Sequence, residues 1–162
     1  MRELTPEPLT AEAFAPFGNV IEASDEAVKI DINRGHAIRY DRLAEIDTSD
    51  QGGTPIVSLF RAKPLAELVL KSFERHPLGS QSFVPLSGRP YLVAVAPAGD
   101  FDSAKVRLFR AEGNQGVHYG KGTWHHFLLV LDECDFLVID RAGPGDNCEE
   151  IEQVPEEIWV RR

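Results

Sequence analysis

Gly116-Val117-His118-Tyr119-Gly120-Lys121-Gly122-Thr123-Trp124-His125-His126 runs straight into an apolar stretch, residues 127–131. The glycines bend the chain, and the apolar run that follows the paired histidines reads as a buried strand. Adjacent histidines on a strand point to opposite faces, so only one of His125 and His126 enters the interior. The tight turn before them places His125 near a barrel mouth. An earlier cluster, Glu74-Arg75-His76-Pro77-Leu78-Gly79-Ser80-Gln81, stands on the other side of a predicted β-hairpin, so the two constellations line one pocket if both face inward.

Outward from these segments the chain reads as β. Residues 82–86, 91–96, 105–110, 127–131 and 136–140 are short, apolar and separated by Gly, Pro or Asp, and residues 36–43 and 56–61 add two strands before them. Short strands at this spacing predict a sandwich or barrel. Thr10 caps a short helix that Pro16 and Gly18 stop, residues 31–35 form a turn, and Asp50-Gln51-Gly52-Gly53 marks a loop. Residues 65–76 are ambiguous: Leu65, Leu68, Val69 and Phe73 fit a helical face, whereas Leu70, Ser72, Glu74 and His76 fit one face of a strand. Residues 140–148 form a polar loop, and the acidic tail beyond has little pattern apart from Ile158-Trp159-Val160.

A chain of 162 residues with 43% apolar content builds one core, so a single domain over 1–162 is expected. Its net charge of -9 argues against a nucleic-acid partner, because phosphate binding relies on Lys and Arg. No apolar run approaches the ~20 residues that span a bilayer, and none follows Met1 as a secretion signal would, which predicts a cytoplasmic protein with no membrane partner. Cys134 and Cys148 lack CxxC spacing; reduced thiols are expected, though spacing leaves a disulfide open.

Glu74, His76 and Gln81 offer a carboxylate, an imidazole and an amide within a short stretch, a set that binds a divalent metal or a polar substrate. On a strand, Glu74 and His76 share a face. Arg39, Arg61 and Arg141 sit in β-like apolar sequence, where a guanidinium needs an anionic partner: a substrate carboxylate, or Asp41, Asp140 or Glu74. His36 and His118 read as surface or structural residues. No GxSxG elbow, Walker loop or dinucleotide fingerprint is present, so serine-hydrolase, nucleotide and Rossmann chemistry lack support.

At these residues the sequence resembles the ureidoglycolate lyases of allantoin degradation, small bacterial cupins once called ureidoglycolate hydrolases. The likeness rests on Asp31-Ile32-Asn33-Arg34-Gly35 with Arg39-Tyr40, on residues 74–86, on residues 116–126, and on residues 136–150. Phe127 departs from it, standing where the family usually has proline. Gln81 and Gly88 stand where many cupins carry the metal-binding glutamate and a turn glycine, and Gly122 and His125 fit the second cupin motif. Glu74 and His76 replace the usual His-x-His pair.

The resemblance implies an all-β, cupin-type barrel with one or a few short helices, and it favours strand for the ambiguous segment. It also implies a homodimer, stimulation by nickel, and cleavage of (S)-ureidoglycolate, a carboxylated ureido compound, to glyoxylate and urea. Such a reaction needs a grip on the carboxylate, removal of the hydroxyl proton, and protonation of the departing nitrogen. His125 or Glu74 is the expected base, with the other or Tyr119 supplying the proton. His76, Gln81 and His125 are the expected metal ligands, Arg39, Arg61 or Arg141 the carboxylate clamp, and Asn33 or Gln81 the partner of the ureido group. The rivals are hydrolysis of the ureido group to ammonia and carbon dioxide, and a non-catalytic cupin that binds a carboxylated metabolite.

Overall fold

The computed structural model describes residues 1–161. The amino-terminal segment supplies β1 (Arg2–Leu4), β2 (Glu7–Pro8), the single turn α1 (Ala11–Phe14) and β3 (Gly18–Ile21). The Thr10 hydroxyl accepts the Ala13 N–H at 3.1 Å, satisfying one of the free donors at the helix start. The hairpin β4 (Val28–Ile32) and β5 (Ala37–Asp41) closes through a 3-10 turn, Asn33–Gly35, and β6 (Thr54–Ala62) follows. Two short strands, β7 (Val69–Leu70) and β8 (Phe73–Arg75), resolve the ambiguous stretch as strand.

The remainder is β9 (Gln81–Pro85), β10 (Tyr91–Ala96), β11 (Arg107–Ala111), β12 (Gly116–Tyr119), β13 (Trp124–His125), β14 (Leu129–Val130), β15 (Cys134–Ala142), β16 (Glu149–Ile151) and β17 (Ile158–Val160). One sheet runs β3-β12-β9-β15-β6; facing it is β16-β8-β13-β10-β11-β2, with β14 also on β10. Between them lie Phe14, Phe83, Tyr91, Phe109 and Phe136, all buried. A third sheet, β1-β17-β7, covers a second core containing Leu70, Phe73, Leu92, Leu108 and Ile158. β10 explains why both cores are needed: Tyr91, Val93 and Val95 enter the first, while Leu92, Ala94 and Ala96 enter the second. A strand buried on both faces is a continuous apolar run, as Tyr91-Leu92-Val93-Ala94-Val95-Ala96 is. The architecture is the cupin-type barrel that the resemblance implies.

Three strand readings change. Residues 116–119, taken as part of a bend, are β12: a Cβ on Gly116 would sit 2.7 Å from the Phe83 carbonyl oxygen, so this glycine permits close strand approach. Residues 127–131 are not one strand, because the chain bends at half-exposed Phe127 and pairing resumes only at Leu129. Residues 105–110 start late, at Arg107, because Asp102 accepts the Ala104 N–H at 2.9 Å and holds a 3-10 turn over Ser103–Lys105. The tail segment Ile158–Val160 becomes the middle strand of the third sheet, paired with β1 and β7.

Candidate functional site

Five strands, β6, β8, β9, β12 and β13, converge on one cavity of about 410 Å³, lined among others by Phe60, Lys63, Glu74, Gln81, Tyr119 and His125. Register places Glu74 opposite His125 and Gln81 opposite Tyr119. The turn before β13 is held by Gly122, whose φ of 78° suits glycine and whose N–H donates to the His76 carbonyl at 3.0 Å. That bond ties the two sequence constellations together. His125 turns inward, its ring stacked on Tyr119 at 4.5 Å, while His126 turns the other way, edge-on to Phe73.

His125 Nδ1 donates to the Thr123 carbonyl at 3.1 Å, and His76 Nδ1 donates to the Asn147 carbonyl at 2.8 Å. A carbonyl only accepts, so each neutral ring keeps its lone pair on Nε2. Glu74 Oε1 lies 3.3 Å from His125 Nε2 and 3.8 Å from His76 Nε2, and the ligand atoms of the three residues lie within 4.8 Å of one another. The first contact is close but outside hydrogen-bond alignment, leaving both Nε2 atoms buried and unpartnered. Gln81 Oε1 is the other buried side-chain atom without a partner among the described residues. Acceptor atoms crowded in this way need a proton or a cation between them.

When its Nε2 carries a proton, the His125 ring holds the Glu74 carboxyl below its usual range against the opposing effect of burial, and a charged His76 and the Cys148 thiol act in the same direction. Burial, with the Glu74 charge adding, pushes the Tyr119 hydroxyl well above its usual value, so it stays protonated at neutral pH. Glu74 is thus an ionised base and Tyr119 a proton donor facing the same space. Cys148 is exposed, its thiol 3.8 Å from Glu74 Oε2, and Cys134 is buried; neither forms a disulfide.

The arginines and Asn33 are placed differently. Arg61 borders the cavity but is held by Asp135 through Nε to Oδ1 (2.8 Å) and Nη2 to Oδ2 (3.0 Å). Arg141 is buried, donating to the Asp50 carbonyl from Nε (3.2 Å) and Nη2 (2.9 Å) and to the Pro144 carbonyl from Nη2 (2.5 Å). Gly79 makes room for it, since a Cβ there would lie 2.7 Å from Arg141 Cβ. Arg39 pairs with Asp41 at 2.6 Å on the hairpin, and Asn33 sits at the hairpin turn; neither lines this chain's cavity. His36 is exposed, and His118 is buried with Nδ1 2.7 Å from Ser82 Oγ.

Two residues escaped the sequence reading. Lys63 lines the cavity and makes no ion pair among the described residues. Asp140, considered only as a partner for arginine, accepts the Gln81 Nε2–H at 3.2 Å. Its signal was parity, because it follows Phe136 and Val138 on the inward-facing positions of β15. A larger hollow of about 490 Å³ lies against the third sheet, but its lining is apolar apart from Thr5 and from Arg110 and Arg161, which pair with Glu112 and Glu3.

A family model described as Ureidoglycolate lyase matches residues 1–161. The ureidoglycolate lyase of Burkholderia mallei (strain NCTC 10229) is 52% identical over 162 residues, covering 99% of this chain and 94% of that protein. That of Pseudomonas syringae pv. tomato is 51% identical over 153 residues, covering 93% and 89%. Among solved structures, a dTDP sugar isomerase from Desulfovibrio desulfuricans G20 aligns with a TM-score of 0.46 at 14% identity, covering 86% of this chain and 88% of that one. A Lactobacillus farciminis oxalate decarboxylase in its formate complex gives a TM-score of 0.43 at 13% identity, covering 65% and 30%.

Proposed function

The chain belongs to the ureidoglycolate lyase family, and from that premise we propose that it cleaves (S)-ureidoglycolate to glyoxylate and urea in allantoin breakdown. The observation that carries the chemistry is the inward cluster of Glu74, His76 and His125 beside Tyr119. Glu74 takes the hydroxyl proton, the C–O⁻ so formed collapses to the aldehyde as the C–N bond breaks, and Tyr119 protonates the departing nitrogen. The proton on Glu74 then returns to Tyr119, so no water is consumed. Lys63, at the rim, grips the substrate carboxylate, and the Gln81 amide faces the ureido group or a metal.

His76 Nε2, Gln81 Oε1 and His125 Nε2 fit a divalent ion, being buried electron-pair donors without partners. Both imidazoles are fixed through Nδ1 by carbonyls, as ligating histidines usually are, and two imidazoles with oxygen donors suit an ion such as Ni²⁺. Bound there, the ion supplies positive charge that lowers the pKa of the substrate hydroxyl and offsets its carboxylate.

A homodimer is supported by apolar surface that the chain leaves open. Among the described residues the β4–β5 hairpin pairs with no other strand, and it exposes Val28, Ile30, Ile32 and Ile38. An isolated two-stranded ribbon is marginally stable by itself. β6 is a nine-residue edge strand with Val57 66% and Leu59 68% exposed, a surface that a second copy would cover. No helix among the described residues is long and apolar enough to cross a membrane. We propose a cytoplasmic protein acting on a small molecule.

Purified, metal-analysed protein incubated with (S)-ureidoglycolate should release urea and glyoxylate in equal amounts above spontaneous decay. Ammonia without urea would replace the lyase by the hydrolase, and no product above background would leave a binding protein. Sedimentation should give twice the chain mass, and Leu59→Glu should shift it toward monomer.

A further inference from the structure

Of the three unpartnered atoms in the site, Gln81 Oε1 differs in kind from the two imidazole nitrogens. A carboxamide has nearly the same shape either way round, so packing alone does not decide whether it presents oxygen or NH₂. Something chemical must choose, and the choice matters: an oxygen donates an electron pair to a cation, whereas an NH₂ does not.

Asp140 supplies the choice. It stands on β15 at the parity of Phe136 and Val138, which are buried in the core, so its half-buried carboxylate faces the interior. β15 pairs with β9 up to Ile139 opposite Ser82, which brings Asp140 beside Gln81. Gln81 Nε2 donates to Asp140 Oδ2 at 3.2 Å. An ionised carboxylate only accepts, so turning the amide over would set oxygen against oxygen. Among the described residues no Arg, Lys or His forms an ion pair with Asp140, and the Gln81 amide is the only side chain hydrogen-bonded to it. This carboxylate is therefore not explained by a structural salt bridge.

We infer that Asp140 is a positioning residue: it fixes the Gln81 amide so that Oε1 joins His76 Nε2 and His125 Nε2 as an electron-pair donor to a divalent cation. This rests on the metal reading above. An outer partner of this type typically changes metal affinity by about 10- to 100-fold when altered.

The test uses full-length, metal-stripped protein titrated with Ni²⁺ alone by calorimetry, with melting temperatures as the control for folding. Asp140→Asn is isosteric, but the new amide can donate to Gln81 Oε1 and let the carboxamide turn over. Ni²⁺ affinity should fall about 10- to 100-fold with little change in melting. Adding Gln81→Glu removes the orientation problem, because a carboxylate has two equivalent oxygens: one accepts from the amide at 140 and the other faces the imidazoles. The D140N/Q81E double variant should therefore recover at least wild-type affinity, and D140N should cost nothing further in a Gln81→Ala background, where no carboxamide is left to orient; a merely structural or electrostatic role for Asp140 would still lower affinity there. Unchanged affinity in D140N, or a loss that Q81E does not restore, overturns the inference. If D140N does not fold, the double variant is read alone, with recovered affinity supporting the inference and lost affinity overturning it. A wild-type protein that binds no Ni²⁺ fails the metal reading itself and takes the inference with it.

Discussion

The two faces of the sheet β3-β12-β9-β15-β6 carry polar residues in neighbouring pairs, Gln81 and Ser82, His118 and Tyr119, Asp140 and Arg141, and treat them in opposite ways. Strand alternation sends Gln81, Tyr119 and Asp140 inward and their neighbours outward. On the outer face Ser82 Oγ meets His118 Nδ1 at 2.7 Å, and Arg141 is held by the Asp50 and Pro144 carbonyls. On the inner side Gln81 Oε1 and the Nε2 atoms of His76 and His125 have no partner among the described residues. A buried polar group that is satisfied holds the fold together; one that is left unsatisfied is a site waiting for a ligand. The contrast separates candidates that residue type alone puts on an equal footing.

The largest effect should come from the unsatisfied side. His125→Ala should lower turnover by roughly 10²- to 10⁴-fold, read as urea and glyoxylate production, while its melting temperature stays close to wild type. Retention of most activity would mean that the inner cluster is not the site. Arg141→Ala should behave in the reverse manner. Charged hydrogen bonds contribute roughly 1.5–3 kcal/mol each and Arg141 grips two carbonyls, so denaturant titration should show a loss of at least about 3 kcal/mol, and the folded fraction should turn over normally. A catalytic defect in folded Arg141→Ala protein would break the division between the faces.

A smaller effect sharpens the division at the cavity rim. Lys63 has no acidic partner among the described residues, whereas both ends of the Arg61 guanidinium are engaged by Asp135. Lys63→Ala should raise KM about fivefold with little change in kcat, as expected for an exposed charge contact. Arg61→Ala should leave KM within about twofold. The opposite ranking would restore Arg61 as the carboxylate clamp.

The barrel was legible because its strands are short apolar runs between turn residues, and Tyr91–Ala96 matches its predicted limits to the residue. The grouping of the candidate site was legible because two polar constellations bring Glu74, Gln81, Tyr119 and His125 to one cavity, with His76 beside Glu74 and His125. Asp41, offered as an arginine partner, does pair with Arg39, but alternation could not supply the partners of Arg61 and Arg141. The carbonyls of Asp50 and Pro144 come to Arg141 through loops folded over the sheet, a long-range arrangement with no local pattern. β12 was hidden because glycine signals both a bend and a close approach of backbones, and only the position of Phe83 distinguishes them at Gly116.

The subtlest prediction concerns His118, one residue from Tyr119 and on the opposite face. Burial holds its imidazole below the usual 6.5, with nearby Asp47 pulling weakly upward. In the unfolded chain this histidine takes up a proton near pH 6.5, while in the folded protein it does so only at lower pH. Above about pH 6.5 both states are neutral, and His118 adds no pH dependence. As pH falls below 6.5 the unfolded state binds the proton first, so stability declines until the folded-state pKa is passed. Urea midpoints should therefore drop between pH 7.5 and 5.5, and His118→Asn, which keeps a polar group near Ser82 but cannot titrate, should reduce that drop. His126, also held low by burial, accounts for a remaining slope. An equal drop in the variant would show that His118 is protonated in the folded state as readily as in the unfolded one. The outer face would then be less completely satisfied than its hydrogen bond to Ser82 implies.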